Sequence, residues 1–148
     1  MSARGFIVAV IASIALIGCA SSNMAGFRFF KTTQTCTTSS CPIIDVSVEG
    51  NPPYVTASID TLLMKNGNHN ANIIWKLNTD GYKFMPDSIS FKNPARAATQ
   101  FSLVNQTNNT FHLKNKNQDD VYAYGYQIKV YETSSGIWIP LDPWVVNN

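Results

Sequence analysis

Three cysteines, two histidines and nine acids are the side chains of this 148-residue chain best suited to act as nucleophiles, bases or metal ligands. Cys36 and Cys41 have the spacing C-x-x-x-x-C, which suits a small disulfide loop or half of a metal site. With only His69 and His112 elsewhere, the case for zinc is weak. Cys19 makes the thiol count odd, which in an exported protein asks for a separate use of one sulfur. Neither histidine has a motif partner, and a lone imidazole is a general base only beside a positioned nucleophile or substrate. Asp80, Asp87 and Asp142 form a carboxylate pair only if distant loops bring two of them together. The chain has no G-x-S-x-G elbow, no H-E-x-x-H and no phosphate-cradling glycine loop. The expectation is a protein that is not an enzyme, with no catalytic residue, no metal and no cofactor.

Two further groups carry weaker signals. Asn115, Asn117, Asp119 and Asp120 place oxygens at alternating positions, as a calcium loop does, but the required Gly is Asp120 and the bidentate Glu is Tyr126. A solvated connection fits them better, and Asn66, Asn68, Asn70 and Asn72 around His69 read as a polar loop. Tyr131, Trp138 and Trp144 lie close together near the C terminus, and Trp138 falls opposite the Ile137, Ile139 and Leu141 face. Exposed Trp and Tyr beside Asn and Asp suit glycan stacking or a protein hot spot, so these three are candidate ligand contacts. The alternative is that a second layer, or the tether, covers them.

The N terminus sets the compartment. An apolar run from Phe6 to Ile17, broken only by Ser13, follows Arg4 and closes on Gly18 and Ala20. It has the length of a signal-peptide core and falls short of the roughly 20 residues of a membrane span. Its end, Leu16-Ile17-Gly18-Cys19, resembles the lipobox of bacterial lipoproteins. The resemblance implies cleavage before Cys19, a diacylglycerol on its thiol and a further acyl chain, such as palmitate, on its amino group. Two or more chains give stable membrane attachment where one is marginal. Ala20, in place of Asp, implies an outer-membrane destination. An ordinary secretory signal cut after Ala20, giving a periplasmic or secreted protein, and a start at Met24, giving a cytosolic one, remain alternatives. In an exported, lipidated chain Cys19 leaves the thiol count, and Cys36 pairs with Cys41 as an oxidising compartment permits.

The elements that must position these residues read as strands. Composition is 45% hydrophobic and 14% charged with net charge +2, which excludes a disordered tail and the basic footprint of a nucleic-acid partner. After a signal peptide (1–18) and a Ser/Thr-rich tether (19–40), the period is two from Ile44 onward. Ile44, Val46 and Val48 alternate with polar residues, as do Val55, Ala57 and Ile59, then Ile73, Trp75 and Leu77. The pattern recurs at Tyr82 and Phe84, Ile89 and Phe91, Phe101 and Leu103, Phe111 and Leu113, Tyr122 to Val130, and Ile137 to Leu141. Turn formers separate the runs: Asn51-Pro52-Pro53, Asn66-Gly67-Asn68, Asp80-Gly81, Asn105 to Asn109 and Ser134-Ser135-Gly136. Within the tether, Phe27-Arg28-Phe29-Phe30-Lys31 suits either a membrane contact or a first strand. No stretch after Cys41 shows a helical period, so residues 41–148 are expected to form an all-β, antiparallel, immunoglobulin-like β-sandwich.

Tyr122, Tyr124 and Tyr126 are similar to the aromatic platform of RNA-recognition domains, but the preceding basic residue and Gly are missing, so they are assigned to the core. The ending Asp142-Pro143-Trp144-Val145-Val146-Asn147, with Trp75-Lys76-Leu77 and Gly81-Tyr82-Lys83-Phe84, resembles small uncharacterised bacterial β-sandwich proteins that end in Asp-Pro-x-apolar-x-Asn. That resemblance implies a C-terminal strand after a Pro-fixed turn and no particular activity. The combined expectation is a lipid-anchored envelope protein whose sandwich binds a protein or glycan partner. The alternatives are a self-associating structural component of the envelope and a hydrolase with a distributed carboxylate site.

Overall fold

The computed structural model describes residues 32–118 and 121–147, with the side chain of Trp144 left aside. The signal segment, Cys19, Phe27 to Lys31, Asp119 and Asp120 lie outside the described residues. Twelve strands and one helix follow in order among them. The strands are β1 (Thr33–Cys36), β2 (Ile44–Glu49), β3 (Tyr54–Ala57), β4 (Thr61–Met64), β5 (Ala71–Leu77), β6 (Tyr82–Lys83) and β7 (Ile89–Phe91). After helix α1 (Pro94–Gln100) come β8 (Phe101–Gln106), β9 (Thr110–Asn115), β10 (Tyr122–Glu132), β11 (Trp138–Leu141) and β12 (Trp144–Asn147). They form a seven-stranded sheet built around β10 and a five-stranded sheet ordered β3-β2-β5-β9-β8, an all-β sandwich-like fold.

Alternation decides what each strand buries. Ile73, Trp75 and Leu77 on β5, Phe111 and Leu113 on β9, and Tyr124, Tyr126, Ile128 and Val130 on β10 are buried, while their neighbours face outward. The interior is locked by rings: Trp75 stands edge-on to Tyr126 and to Phe111, and Phe91 stacks on Phe101 at 4.4 Å. Trp75 Nε1 donates to the Tyr126 hydroxyl at 3.2 Å, so the two sheets share a hydrogen bond at their centre. The Tyr126 hydroxyl therefore ends inside the core and does not reach the sheet margin. Burial raises its pKa well above the ordinary phenol value.

Several expectations need correction. The sheets are mixed, because β1 runs parallel to β4, β4 to β12 and β2 to β5. Alternation reports which face a residue takes but not the direction of its neighbour, and parallel partners are joined by crossovers that leave no turn signature. Strand β1 lies within the segment read as tether. It pairs with β4, and its last residue Cys36 is bonded to Cys41, so the folded part begins no later than Thr33. Helix α1 was not legible as a period because it is one short crossover between the sheets. It is started locally by Asn93, whose side chain accepts from Arg96 N at 3.1 Å, and by Pro94 in the first turn.

Asp142-Pro143 is not a turn. Leu141 pairs with Ile128 and Trp144 with Gly125, so β11 and β12 follow one register along the same edge of β10. Pro143 merely interrupts the ladder, and its carbonyl still accepts from Tyr126 N at 3.0 Å. A real turn lies between β2 and β3. Gly50 takes φ +79°, and a Cβ there would meet the Tyr54 ring at 2.5 Å.

Candidate functional site

Of the three candidate contacts, the structure brings Tyr131 and Trp138 together. Tyr131 is on the outer face of β10 and Trp138 is its partner across the β10–β11 hairpin, with ring centroids 5.4 Å apart and edge-on. Pairing fixes this contact, because residues directly opposite in an antiparallel ladder share a face. Trp144 pairs with Gly125 and Thr61 in the backbone register, at the other end of β10.

The outer pair is half-buried. Lysines supply the cover. Lys83 on β6, opposite Tyr131, places Nζ 5.4 Å from the Tyr131 ring centre, and Lys129 places its own 4.8 Å from that of Trp138. Each ammonium sits over electron-rich ring density while its stem covers apolar surface. Lys129 also binds Asp87 at 2.7 Å, a bond that holds the Asp87 carboxyl below its ordinary pKa. Next along the face, Gln127 contacts Asp142 at 3.5 Å and Lys92 stands 3.8 Å from the same carboxylate. At the hairpin end Tyr82 donates to Glu132 at 3.0 Å; partial burial and then that carboxylate raise the phenol's pKa. Ile137, expected to face inward, is 58% exposed beside this group, because the inner face ends at Ile139.

Two of the acids singled out for chemistry, Asp87 and Asp142, lie along the same outer face of β10, on Lys129 and Gln127 respectively. Asp87 and Asp142 each face a lysine, and Asp80 is exposed. His69 Nδ1 lies 2.8 Å from the Asn117 carbonyl and therefore donates to it, and His112 Nε2 lies 3.1 Å from Asn72 Oδ1. No group of three His, Cys, Asp or Glu gathers among the described residues. No protein-family model matches the chain, and no curated protein is similar to it. The outer face is a short row of amide, cation and aromatic groups able to stack, donate and accept, and in the hairpin turn at its end the Ser135 hydroxyl donates to the Glu132 carboxylate.

Asn115 and Asn117, assigned to a solvated loop, are buried. Asn115 Nδ2 donates to Asn147 Oδ1 at 2.8 Å, tying β9 to β12 across the sandwich, and Asn117 Nδ2 donates to the Lys65 carbonyl at 3.0 Å. Asn117 takes φ 45°, a left-handed conformation that Asn tolerates. Asn68 Nδ2 donates to the Cys36 carbonyl at 3.2 Å, so the same end of the molecule holds the Cys36–Cys41 disulfide in place. These side-chain amides serve the fold. The sequence signal that marks them is the clustering of Asn near turns, but it does not distinguish internal ties from ligands.

Proposed function

We propose that the mature chain is a non-catalytic, lipid-anchored protein of the bacterial envelope, held at the outer membrane through Cys19, whose sandwich binds a protein or glycan partner on the outer face of β10 and β11. The observation that carries the binding reading is the Tyr131–Trp138 pair, half-exposed, edge-on and bordered by exposed Ile137. Aromatic anchors in such a setting contribute heavily to recognition. The lysines over the rings offer charged donors to the same partner. Anchoring rests on the lipobox-like Leu16-Ile17-Gly18-Cys19; no helix among the described residues is long and apolar enough to cross a membrane.

Two experiments test the two halves of this reading. Intact mass of the membrane fraction should show a species that begins at Cys19 and carries diacylglycerol and acyl mass; a species beginning at Cys19 without added mass rejects the anchor. Photo-crosslinking from a benzoylphenylalanine at position 138 in cells, with position 49 as control, should trap a defined envelope protein, and Trp138 fluorescence should respond to soluble envelope glycans if the partner is a glycan. Silence in both assays rejects the binding face.

A further inference from the structure

One edge of the five-stranded sheet is β8, where Ser102, Leu103, Val104 and Asn105 are exposed in succession; the other is β3. A sheet strand ordinarily hides one side chain in two. Four exposed residues in a row mark an edge that neither the facing sheet nor α1 covers. Leu103, expected in the core, pairs with buried Leu113 yet is 58% exposed, and Val104, the extra residue at a register shift, is 51% exposed.

Exposed sheet edges usually carry Lys, Pro or inward-pointing charge that prevents pairing. Between Arg96 and Lys114 this chain has no Asp, Glu, Lys or Arg. Two copies therefore meet along β8 without like-charge repulsion. The short sequence is also self-complementary. Aligned antiparallel about a twofold axis, Leu103 faces the second copy's Val104 and Ser102 its Asn105, which places apolar pairs at the centre and polar pairs next to them. The other sheet's edge strand, β1, exposes Thr33, Gln34 and Thr35 and offers no apolar side chain there.

We propose that the chain self-associates by antiparallel pairing of β8 with β8 of a second copy. This surface lies on the other sheet from the Tyr131–Trp138 face, and the proposal does not depend on that reading. One strand pair buries less than the roughly 1,200 Å² of a stable interface. The contact is weak in dilute solution and gains where chains are concentrated, as on a membrane.

Sedimentation of the full chain, with detergent micelles in excess over protein, tests this directly. The wild type should show a concentration-dependent dimer. Val104→Lys should weaken it about tenfold or more by setting a charge against the second copy's Leu103 in place of an apolar pair, and Gln34→Lys on β1 should leave it unchanged. Circular dichroism verifies the fold of each variant, and Leu103→Lys replaces Val104→Lys if the latter misfolds. A wild type that stays monomeric throughout, a charged β8 that dimerises as tightly as the wild type, or an equal loss on charging β1 would each overturn the proposal. Loss of partner capture at position 138 with dimerisation intact bears only on the outer-face reading.

Discussion

Strand β10 carries aromatic residues on both faces, and the two groups behave differently. Inside, Tyr124 and Tyr126 are 2% and 1% exposed and meet Phe91 on the neighbouring strand and Phe101 and Trp75 from across the sandwich. Outside, Tyr131 and Trp138 meet each other and two lysines. The residue types and the period are alike on the two faces. What differs, among the described residues, is the opposing layer: a second sheet on one side, the side chains of Lys83 and Lys129 on the other. The inner rings are enclosed between the two sheets, whereas the outer ones are half-exposed and, under the proposed function, would contact a partner.

The comparison breaks first, if it breaks, at Trp75. Trp75→Ala should destabilise the protein by about 3–5 kcal/mol in urea unfolding, because it empties the contact between the sheets; a loss below about 1 kcal/mol would show that the inner group is not the core. Tyr126→Phe keeps the ring and removes the acceptor for Trp75 Nε1, leaving a buried N–H unpaired at a cost of about 1–3 kcal/mol. The same change at Tyr131 should cost less than about 0.5 kcal/mol. Burial raises the folded-state pKa of Tyr126, so its contribution is complete below the ordinary phenol range and lost as pH rises above it. The alkaline fall in stability should therefore be shallower in Tyr126→Phe.

Outer-face changes should be smaller in stability and larger in binding. Trp138→Ala should cost about 1 kcal/mol or less in unfolding while weakening capture of the partner at least about tenfold; the reverse ordering would place Trp138 with the inner group. The smallest effect belongs to Asp87. Its pKa is lowered by Lys129, so its contribution is present above the ordinary carboxylate range and is lost as pH falls through the lower folded value. Asp87 is 62% exposed, so the effect is slight and fades with salt. Asp87→Asn should remove it, as carboxyl NMR titration and unfolding across the acid range would show.

Much of the core was legible because burial on a strand leaves a period of two. Ile44 and Val46, then Ile73, Trp75 and Leu77, and Tyr124, Tyr126, Ile128 and Val130 were assigned to the interior and are buried there. The same rule overreached at Leu103 and Ile137. Alternation assigns a face, but whether that face is covered depends on where the opposing sheet ends. Strands β1 and β4 were missed for the opposite reason: Thr33-Gln34-Thr35 shows no apolar alternation, and Leu62 and Met64 offer too short a pattern. The Tyr131–Trp138 pair was half legible. Both residues were singled out, but their contact depends on the hairpin register, and the lysines over their rings left no signal in the sequence.

The sequence by itself determined that this chain forms strands with one apolar face, that Cys36 and Cys41 sit close enough to join, and that Asn, Gly and Pro end the strands. These are local properties, set by side-chain geometry over a few residues. Only the tertiary structure decided the parallel pairings, the continuous register of β11 and β12, the burial of Asn115 and Asn117, and the exposure of β8. Each depends on which distant segment lies alongside, a choice made by the packing of two whole sheets and not by any one strand.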